Sequence, residues 1–313
     1  MPFSKKAGRG TMTKVRMIKV RMTPDLVSFA FIKYTVVFLA ALICLVPFYM
    51  LVISSFTSEA VIITKGYSFI PRKGSFSLAA YEMVFRNPMR ILRAYRNSVF
   101  ITIVGTCSSL IFSSMGAFAL FNKKLRYRNK MAFYLYFTTL FNGGLLAYYL
   151  TVTRYLQLQN TMWVMILSPM FSVMYILILR NFMNASIPQA LIDAARIDGA
   201  GDFRVYWQIV LPLSKPALAS IGLFIALHYW NDWWTPMMFV ERTVLQPLQY
   251  TLYQILSSVN FAAAMVDSVP QINLPQESLK LAMTVVATGP IVLVYPFIQK
   301  YFVSGITIGS VKG

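Results

Sequence analysis

Long apolar stretches without charged residues alternate with short polar segments along this chain. A helix that crosses a bilayer needs about 20 such residues. Six stretches reach or approach this length, and only the fifth contains a charge, that of Asp232: residues 34–54, 97–122, 131–153, 155–179, 216–240 and 281–299. The pattern predicts six transmembrane helices. The first lies too deep in the chain for a removable signal peptide and lacks a small-residue cleavage site, so we expect it to persist.

Composition and charge agree with this pattern. The 313 residues are 57% hydrophobic and only 12% charged, against roughly 25% charged residues in an ordinary globular domain. A soluble enzyme of this length is therefore not expected. The net charge of +19 suits either a nucleic-acid-binding protein or a membrane protein with basic loops. Because the basic residues lie between the apolar stretches, the sequence predicts an all-α integral membrane protein whose surroundings are lipid and not nucleic acid.

The basic residues also predict the orientation. Eight of them precede the first apolar stretch and five lie in the loop after the second: Lys5, Lys6, Arg9, Lys14, Arg16, Lys19, Arg21 and Lys33, then Lys123, Lys124, Arg126, Arg128 and Lys130. Positively charged loops stay in the cytoplasm. We therefore expect a basic cytoplasmic segment, residues 1–33, followed by a transmembrane domain, residues 34–313, with both termini cytoplasmic.

One basic group does not follow this rule. Arg86, Arg90, Arg93 and Arg96 precede the second span, on its predicted outer side. One interpretation is an amphipathic segment at the outer membrane interface. The other is that these arginines attract an anionic substrate or partner.

Residues that could carry enzyme chemistry are scarce. The chain has one histidine, His228, and two cysteines, Cys44 and Cys107, both inside predicted spans. No phosphate-binding GxxxxGK[ST] loop, HExxH motif or GxSxG motif occurs. We expect no catalytic residue, no metal site and no bound cofactor in this chain, so any nucleotide hydrolysis must come from another polypeptide.

The connection between the fourth and fifth spans, residues 185–215, has a pattern of its own. It predicts a short helix, a break and a second short helix. Ser186 is expected to cap the first helix and Gly199 to end it in the left-handed conformation. Asp202 is expected to cap the second helix, whose apolar stripe is Phe203, Tyr206, Trp207 and Val210.

The amino-acid sequence of this connection resembles the EAA loop of ABC importer permeases. Asp-Ala-Ala-x-x-Asp-Gly-Ala (193–200) is followed by Ile-Val-Leu-Pro (209–212) and Lys-Pro (215–216). Further resemblance lies in Trp-Asn-Asp (230–232), Phe-Asn-Gly-Gly (141–144), 295–302 and 309–313. The resemblance covers about residues 30 to 313. The order of the motifs is similar to that of MalG-like subunits, particularly the LplC/YtcP branch, which is related to oligosaccharide and alginate importer permeases. Asp193 stands where that family usually has Glu.

The resemblance implies a MetI-like fold with a coupling helix that docks in a cleft of an ATP-binding subunit. Carried over residue by residue, the ATPase-coupling residues are Asp193, Ala194, Ala195, Asp198, Gly199 and Ala200. The tail that reaches the ATPase dimer in such subunits corresponds to Ser310, Val311, Lys312 and Gly313. A short tail without contacts is the alternative for these last residues.

The substrate pathway is predicted less sharply. Trp230, Asn231 and Asp232 combine aromatic and polar groups, as a sugar-lined cavity requires, and an intramembrane carboxylate usually faces a cavity or a partner. The alternative is an interfacial aromatic belt in which Asn231 and Asp232 link helices. Asn142 and Gly143 break the third span and are further candidates, although tight helix packing explains the glycine equally well. His228 is expected to be a helix-packing residue.

The implied function is that of the permease subunit of an ATP-driven importer in the bacterial cytoplasmic membrane. An extracytoplasmic solute-binding protein would deliver an oligosaccharide, a MalF-like second permease would complete the pathway, and two ATP-binding cassette subunits would bind ATP and Mg²⁺. The outer arginines suggest an acidic, uronate-containing glycan such as alginate. The alternative function is an ion-coupled secondary transporter, which Asp232 as the only carboxylate well inside a span argues against.

Overall fold

The computed structural model describes residues 24–70, 73–266 and 275–310. Within these ranges the regular structure is helical, apart from one isolated antiparallel bridge between Thr57 and Phe76. The α-helices are α1 (Pro24–Ser55), α2 (Glu59–Lys65), α3 (Ala79–Val84), α4 (Pro88–Phe121), α5 (Arg128–Leu140), α6 (Gly144–Leu150), α7 (Met162–Leu167), α8 (Val173–Ser186), α9 (Gln189–Ile197), α10 (Asp202–Val205), α11 (Leu211–Leu213), α12 (Lys215–Asn231), α13 (Trp234–Phe239), α14 (Leu248–Val266) and α15 (Gln276–Ser310). Two π-helical turns, Thr151–Tyr155 and Tyr206–Val210, continue α6 and α10.

The chain divides into two compact units, residues 1–50 and 51–313. In the first unit, the described residues form the greater part of α1. Of the predicted basic segment 1–33, residues 1–23 lie outside the described part of the chain. The second unit contains the remaining helices and the segment that resembles an EAA loop.

The second unit is organised around α4. This helix packs against α8 and α12, and α12 packs in turn against α15. Close approach of α4 and α12 depends on small residues, because a Cβ added at Gly105 would lie 2.5 Å from the Tyr229 ring. The Tyr229 hydroxyl donates to the Ile166 carbonyl at 2.7 Å, so its ring is fixed in place. A second apolar cluster joins α3, the start of α4, α14 and α15.

Several helices differ in extent from the predicted spans. α4 begins at Pro88, nine residues before the apolar stretch, because the Asn87 side chain accepts from the Arg90 amide and Pro88 occupies the first turn. The stretch 131–153 is interrupted between α5 and α6, where Asn142 accepts from the Gly144 amide at 2.9 Å. The stretch 155–179 is divided between α7 and α8.

Breaks also occur at both ends of α12. The helical segment Asp202–Leu213 meets α12 at a bend of 79°, where Pro212 and Pro216 lie on either side of Ser214. Within the described residues, two helices are individually long and apolar enough to cross a membrane, and this bent pair makes a third candidate. The segment 241–280, between the fifth and sixth predicted spans, contains the 19-residue helix α14.

The far ends of the second unit are joined through one carboxylate. Glu59, in the first turn of α2, accepts hydrogen bonds from the amides of Glu277 and Ser278, each at 2.8 Å. These amides belong to the first turn of α15 and lack partners within the helix. The segment after the first helix therefore caps the last helix of the chain.

Candidate functional site

The segment from α9 to α11 presents apolar side chains that the other described residues leave uncovered. Ile192 is buried in the main apolar core, and Ala195 packs against this core. On the outside, Ile197 is 86% exposed and Phe203 is 72% exposed, and Leu191 and Trp207 are also exposed. An uncovered apolar patch on a connecting segment is typical of a protein-binding surface. Of the predicted stripe on the second helix, Tyr206 and Val210 are buried, and the other two members face outward.

The break between α9 and α10 has the predicted backbone conformation. Gly199 has a φ of +82°, so the prediction that this glycine ends the helix in the left-handed region is confirmed. The Ala200 amide then donates to the Ala195 carbonyl at 2.9 Å. Asp198 caps the helix at its C-terminal end and is exposed, as are Asp193 and Ala194.

The two predicted N-terminal caps in this segment are wrong. Ser186 is the last residue of α8, and Pro188 occupies the N-cap position of α9 without a side-chain hydrogen bond. Gly201 is the N-cap of α10, and Asp202 is its first helical residue. The Asp202 carboxylate does not cap because it is engaged by the guanidinium of Arg196 at 2.8 Å.

Arg196 was not singled out by the sequence. Its guanidinium donates to the Asn122 side chain at 2.9 Å as well as to Asp202, and its side chain is only 11% exposed. Asn122 is the C-terminal cap of α4. The connection between α9 and α10 is thereby bonded to the end of α4, the helix around which the second unit is organised. The only available signal was an arginine among apolar residues, which does not identify its partners.

A second break, between α12 and α13, opens onto a cavity. The Asp232 carboxylate accepts from the amides of Trp234 and Thr235 at 3.1 and 3.0 Å and so starts α13. The adjacent cavity has a volume of about 470 Å³, and its lining includes Asn231, Asp232 and His228. His228 is exposed to this cavity and is not the packing residue that the sequence suggested.

A neighbouring cavity of about 360 Å³ shares Asn231 and Trp233 with the first. It lies between the end of α12, α14 and the beginning of α15. Its lining is Asn231, Trp233, Gln249, Leu252, Tyr253, Leu256, Lys280, Met283, Thr284, Ala287 and Thr288. The two shared residues make these cavities adjoining compartments at one end of the bundle.

The other predicted pathway residues lie elsewhere. Trp230 is buried, and its indole N–H donates to the Ala287 carbonyl at 3.1 Å, so it connects α12 to α15. This contact corresponds to the helix-linking alternative for the Trp-Asn-Asp group. Asn142 and Gly143 are exposed at the break before α6 and line neither cavity.

Comparison with known proteins identifies the family. Residues 110–308 match the family described as binding-protein-dependent transport system inner membrane component. This chain belongs to that family. Two relatives are proteins of Bacillus subtilis (strain 168). The polygalacturonan/rhamnogalacturonan transport system permease protein YtcP is 37% identical over 286 residues, 91% of this chain and 98% of YtcP. Protein LplC is 36% identical over 87% of this chain and 90% of LplC.

A solved structure supports the same assignment. A bacterial ABC transporter involved in the import of the acidic polysaccharide alginate matches with a TM-score of 0.71 and 29% identity, over 90% of this chain and 99% of the matched chain. The fold class expected from the sequence, an all-α membrane permease of the MetI-like type, is confirmed.

In this permease the four arginines that were predicted to lie on the outer side do not form one open group. The Arg90 guanidinium donates to the side chains of Gln254 at 2.6 Å and Gln246 at 3.3 Å, and so joins α4 to α14 and to the segment before it. Arg86 and Arg90 line a separate cavity of about 370 Å³. Arg93 is half-buried and Arg96 is exposed.

Two remaining sets of predicted residues can be described only in part. Ser310 is the last residue of α15, and Val311, Lys312 and Gly313 lie outside the described residues. Within the described ranges, no group of three or more His, Cys, Asp or Glu residues lies close enough together to hold a metal ion.

Proposed function

We propose that this chain is the permease subunit of an ATP-driven importer that receives an oligosaccharide from an extracytoplasmic binding protein and passes it to the cytoplasm by alternating access. The observation that carries the proposal is the uncovered apolar surface of α9 to α11, on a segment whose sequence resembles an EAA loop. The permease names of YtcP and other relatives support a transport role without an active site in this chain.

The coupling step follows from the contacts of this segment. An ATP-binding subunit would cover Leu191, Ile197 and Phe203, which are exposed here. ATP and Mg²⁺ would be bound by two such subunits, and their closure would move the segment that includes Asp193, Ala194, Ala195, Asp198, Gly199 and Ala200. Because Arg196 bonds this segment to Asn122, its displacement would be passed to α4. Two arrangements of the helices, biased by nucleotide, constitute the switch.

The same contact supports the proposed orientation. Asn122 directly precedes the basic loop 123–130, so Arg196 holds the coupling segment beside that loop. Positive loops face the cytoplasm, and so would the surface that meets ATP-binding subunits. With the termini on this side, the opposite end of the bundle, where the two cavities lie, would meet the binding protein and a MalF-like second permease.

For the substrate we propose an acidic, uronate-containing oligosaccharide. YtcP is named for polygalacturonan and rhamnogalacturonan, and the matched structure for alginate. Relatives named for arabinooligosaccharides are more distant, at 29% identity for the AraQ protein of Halalkalibacterium halodurans. The adjoining cavities combine tryptophan rings with amide side chains, the kind of lining that recognises sugars.

Docking can be tested by replacing one exposed isoleucine. We expect Ile197→Ser to reduce strongly the amount of ATP-binding subunit that co-purifies with the permease from membranes, because the buried apolar contact is lost. Ile70→Ser is the matched control, since Ile70 is 75% exposed on the segment between α2 and α3, outside the segment α9 to α11. The complete importer should also move substrate only when ATP is supplied.

Two results would contradict the proposal. One is equal recovery of the ATP-binding subunit with both variants and the unmodified chain. The other is ATP-independent substrate movement by the purified chain alone, which would favour an ion-coupled transporter.

A further inference from the structure

The two adjoining cavities carry opposite charge. Lys280 is the one charged residue among those that line the smaller cavity, and Asp232 is the one acidic residue among those that line the larger. The shared residues Asn231 and Trp233 lie between them. A ligand carboxylate would therefore lie near an ammonium in the smaller cavity and near another carboxylate in the larger one.

The smaller cavity also has an aromatic wall, formed by stacked rings. The rings of Trp233 and Tyr253 are stacked with centroids 4.9 Å apart and an angle of 26° between their planes. The Tyr250 ring continues the stack, with its centroid 6.4 Å from that of Tyr253. Aromatic faces present apolar area while their edges leave room for polar contacts. A pyranose ring has an apolar C–H face that can lie on an outer face of this stack.

Polar groups surround this wall at the rim of the cavity. The Gln249 amide donates weakly to the Asn231 side chain at 3.4 Å, which leaves both amides with further donors and acceptors. Thr284 and Thr288 lie on the α15 side. Hydroxyl groups of a sugar ring can pair with these side chains while the ring lies on the aromatic wall.

Lys280 adds the charge that a neutral sugar does not need. Its Nζ donates to the Glu277 carboxylate at 2.7 Å, and both side chains are partly exposed. An ammonium has three donors, of which Glu277 takes one. Two donors therefore remain for a ligand carboxylate at the cavity rim.

We propose that this cavity is a uronate subsite, in which one sugar ring packs against the stack of Trp233 and Tyr253 and its carboxylate pairs with Lys280. The inference rests on the proposed function and names the residues that select the acidic substrate. Lys280 thus takes over from the outer arginines the recognition of the substrate carboxylate, because the Arg90 guanidinium is already bonded to Gln246 and Gln254.

The test compares two trisaccharides of the same linkage, one of galacturonate and one with its carboxyl groups reduced to alcohols. The complete importer is reconstituted in proteoliposomes, and ATP hydrolysis stimulated by the binding protein is measured against trisaccharide concentration. We expect Lys280→Gln to raise the apparent KM for the uronate about tenfold, as the loss of one charge-assisted contact implies. The KM for the reduced trisaccharide should stay within about twofold.

Three further variants separate recognition from a structural effect. Lys280→Arg should retain the uronate preference, since it keeps the charge. Glu277→Gln should lower the apparent KM for the uronate or leave it unchanged, because it removes a competing carboxylate. Lys65→Gln is the matched control, as Lys65 is an exposed lysine of α2 that lines neither cavity.

The outcomes distinguish the two proposals. Equal increases in the apparent KM for both trisaccharides in Lys280→Gln, accompanied by the same increases in Glu277→Gln, would show that the ion pair is structural and would overturn the uronate subsite. A response to the reduced trisaccharide alone would overturn the subsite and the acidic substrate, while oligosaccharide import would stand. Absence of stimulation by either trisaccharide in the unmodified importer would count against the proposed function itself and against the subsite with it.

Discussion

The left-handed turn at Gly199 allows a sharp test of the coupling segment. Gly199 has a φ of +82°, and a Cβ added there would meet no atom within 4 Å. Gly199→Ser therefore introduces backbone strain without a steric clash. A side chain in this conformation costs about 1–2 kcal/mol, a factor of about 5–30 in the population that retains the turn. The turn determines the direction in which α10 leaves α9, so the strain acts on the docking surface.

Gly201 provides the matched control two residues away. It is also free of contacts within 4 Å, but its φ is −70° and it occupies the N-cap position of α10, where serine is favoured. We expect Gly199→Ser to lower the substrate transported per ATP hydrolysed in proteoliposomes, and Gly201→Ser to leave this ratio unchanged. Gly199→Asn should fall between them, because asparagine tolerates the left-handed region. Equal ratios for the two serine variants would refute the reasoning.

Two predictions concern the helix bundle itself. Gly105→Ala should lower the free energy of unfolding by about 1–3 kcal/mol, because its methyl group would overpack against the fixed Tyr229 ring, and so should lower the thermal midpoint in detergent. Gly222→Ala should have less effect, because its nearest neighbour at 3.0 Å is a methyl group of the Leu110 side chain, which can rotate away. Equal midpoints for the two variants would contradict this packing. Glu59→Ala should lower the free energy of unfolding by about 1–2 kcal/mol. It should also accelerate hydrogen exchange of the Glu277 and Ser278 amides, which Glu59 caps; unchanged exchange would show that this cap is dispensable.

Features that depend on local sequence could be predicted well. The runs without charge indicate membrane helices, although among the described residues two helices and one bent pair, against six predicted spans, are long and apolar enough to cross a membrane. The positive φ of Gly199 follows from its position after a short amphipathic helix. The break around Asn142 was predicted from the polar and glycine residues inside an apolar run. Each of these signals lies within a few residues of the feature it specifies.

Features that depend on distant partners could not be predicted in this way. Asp202 has the right position for a helix cap, but its carboxylate accepts from Arg196, which is itself bonded to Asn122, 80 residues away from Asp202 in the chain. Trp230 has the composition of a sugar-binding residue, yet its indole is directed to α15, 57 residues away in the chain. The smaller cavity combines residues of three helices, and no local pattern relates Lys280 to Trp233.

The length of α4 has a mechanical consequence. Its 34 residues span about 51 Å at the rise of an α-helix, and a tilt of about 5° would displace one end by roughly 4 Å relative to the other. Asn122, at one end, is held by Arg196, and Arg90, near the other, holds Gln246 and Gln254. A small rotation imposed at the first end would thereby become a displacement several times the length of a C–C bond at the second. Amplification of this kind requires only that the helix stay straight and that both ends remain bonded.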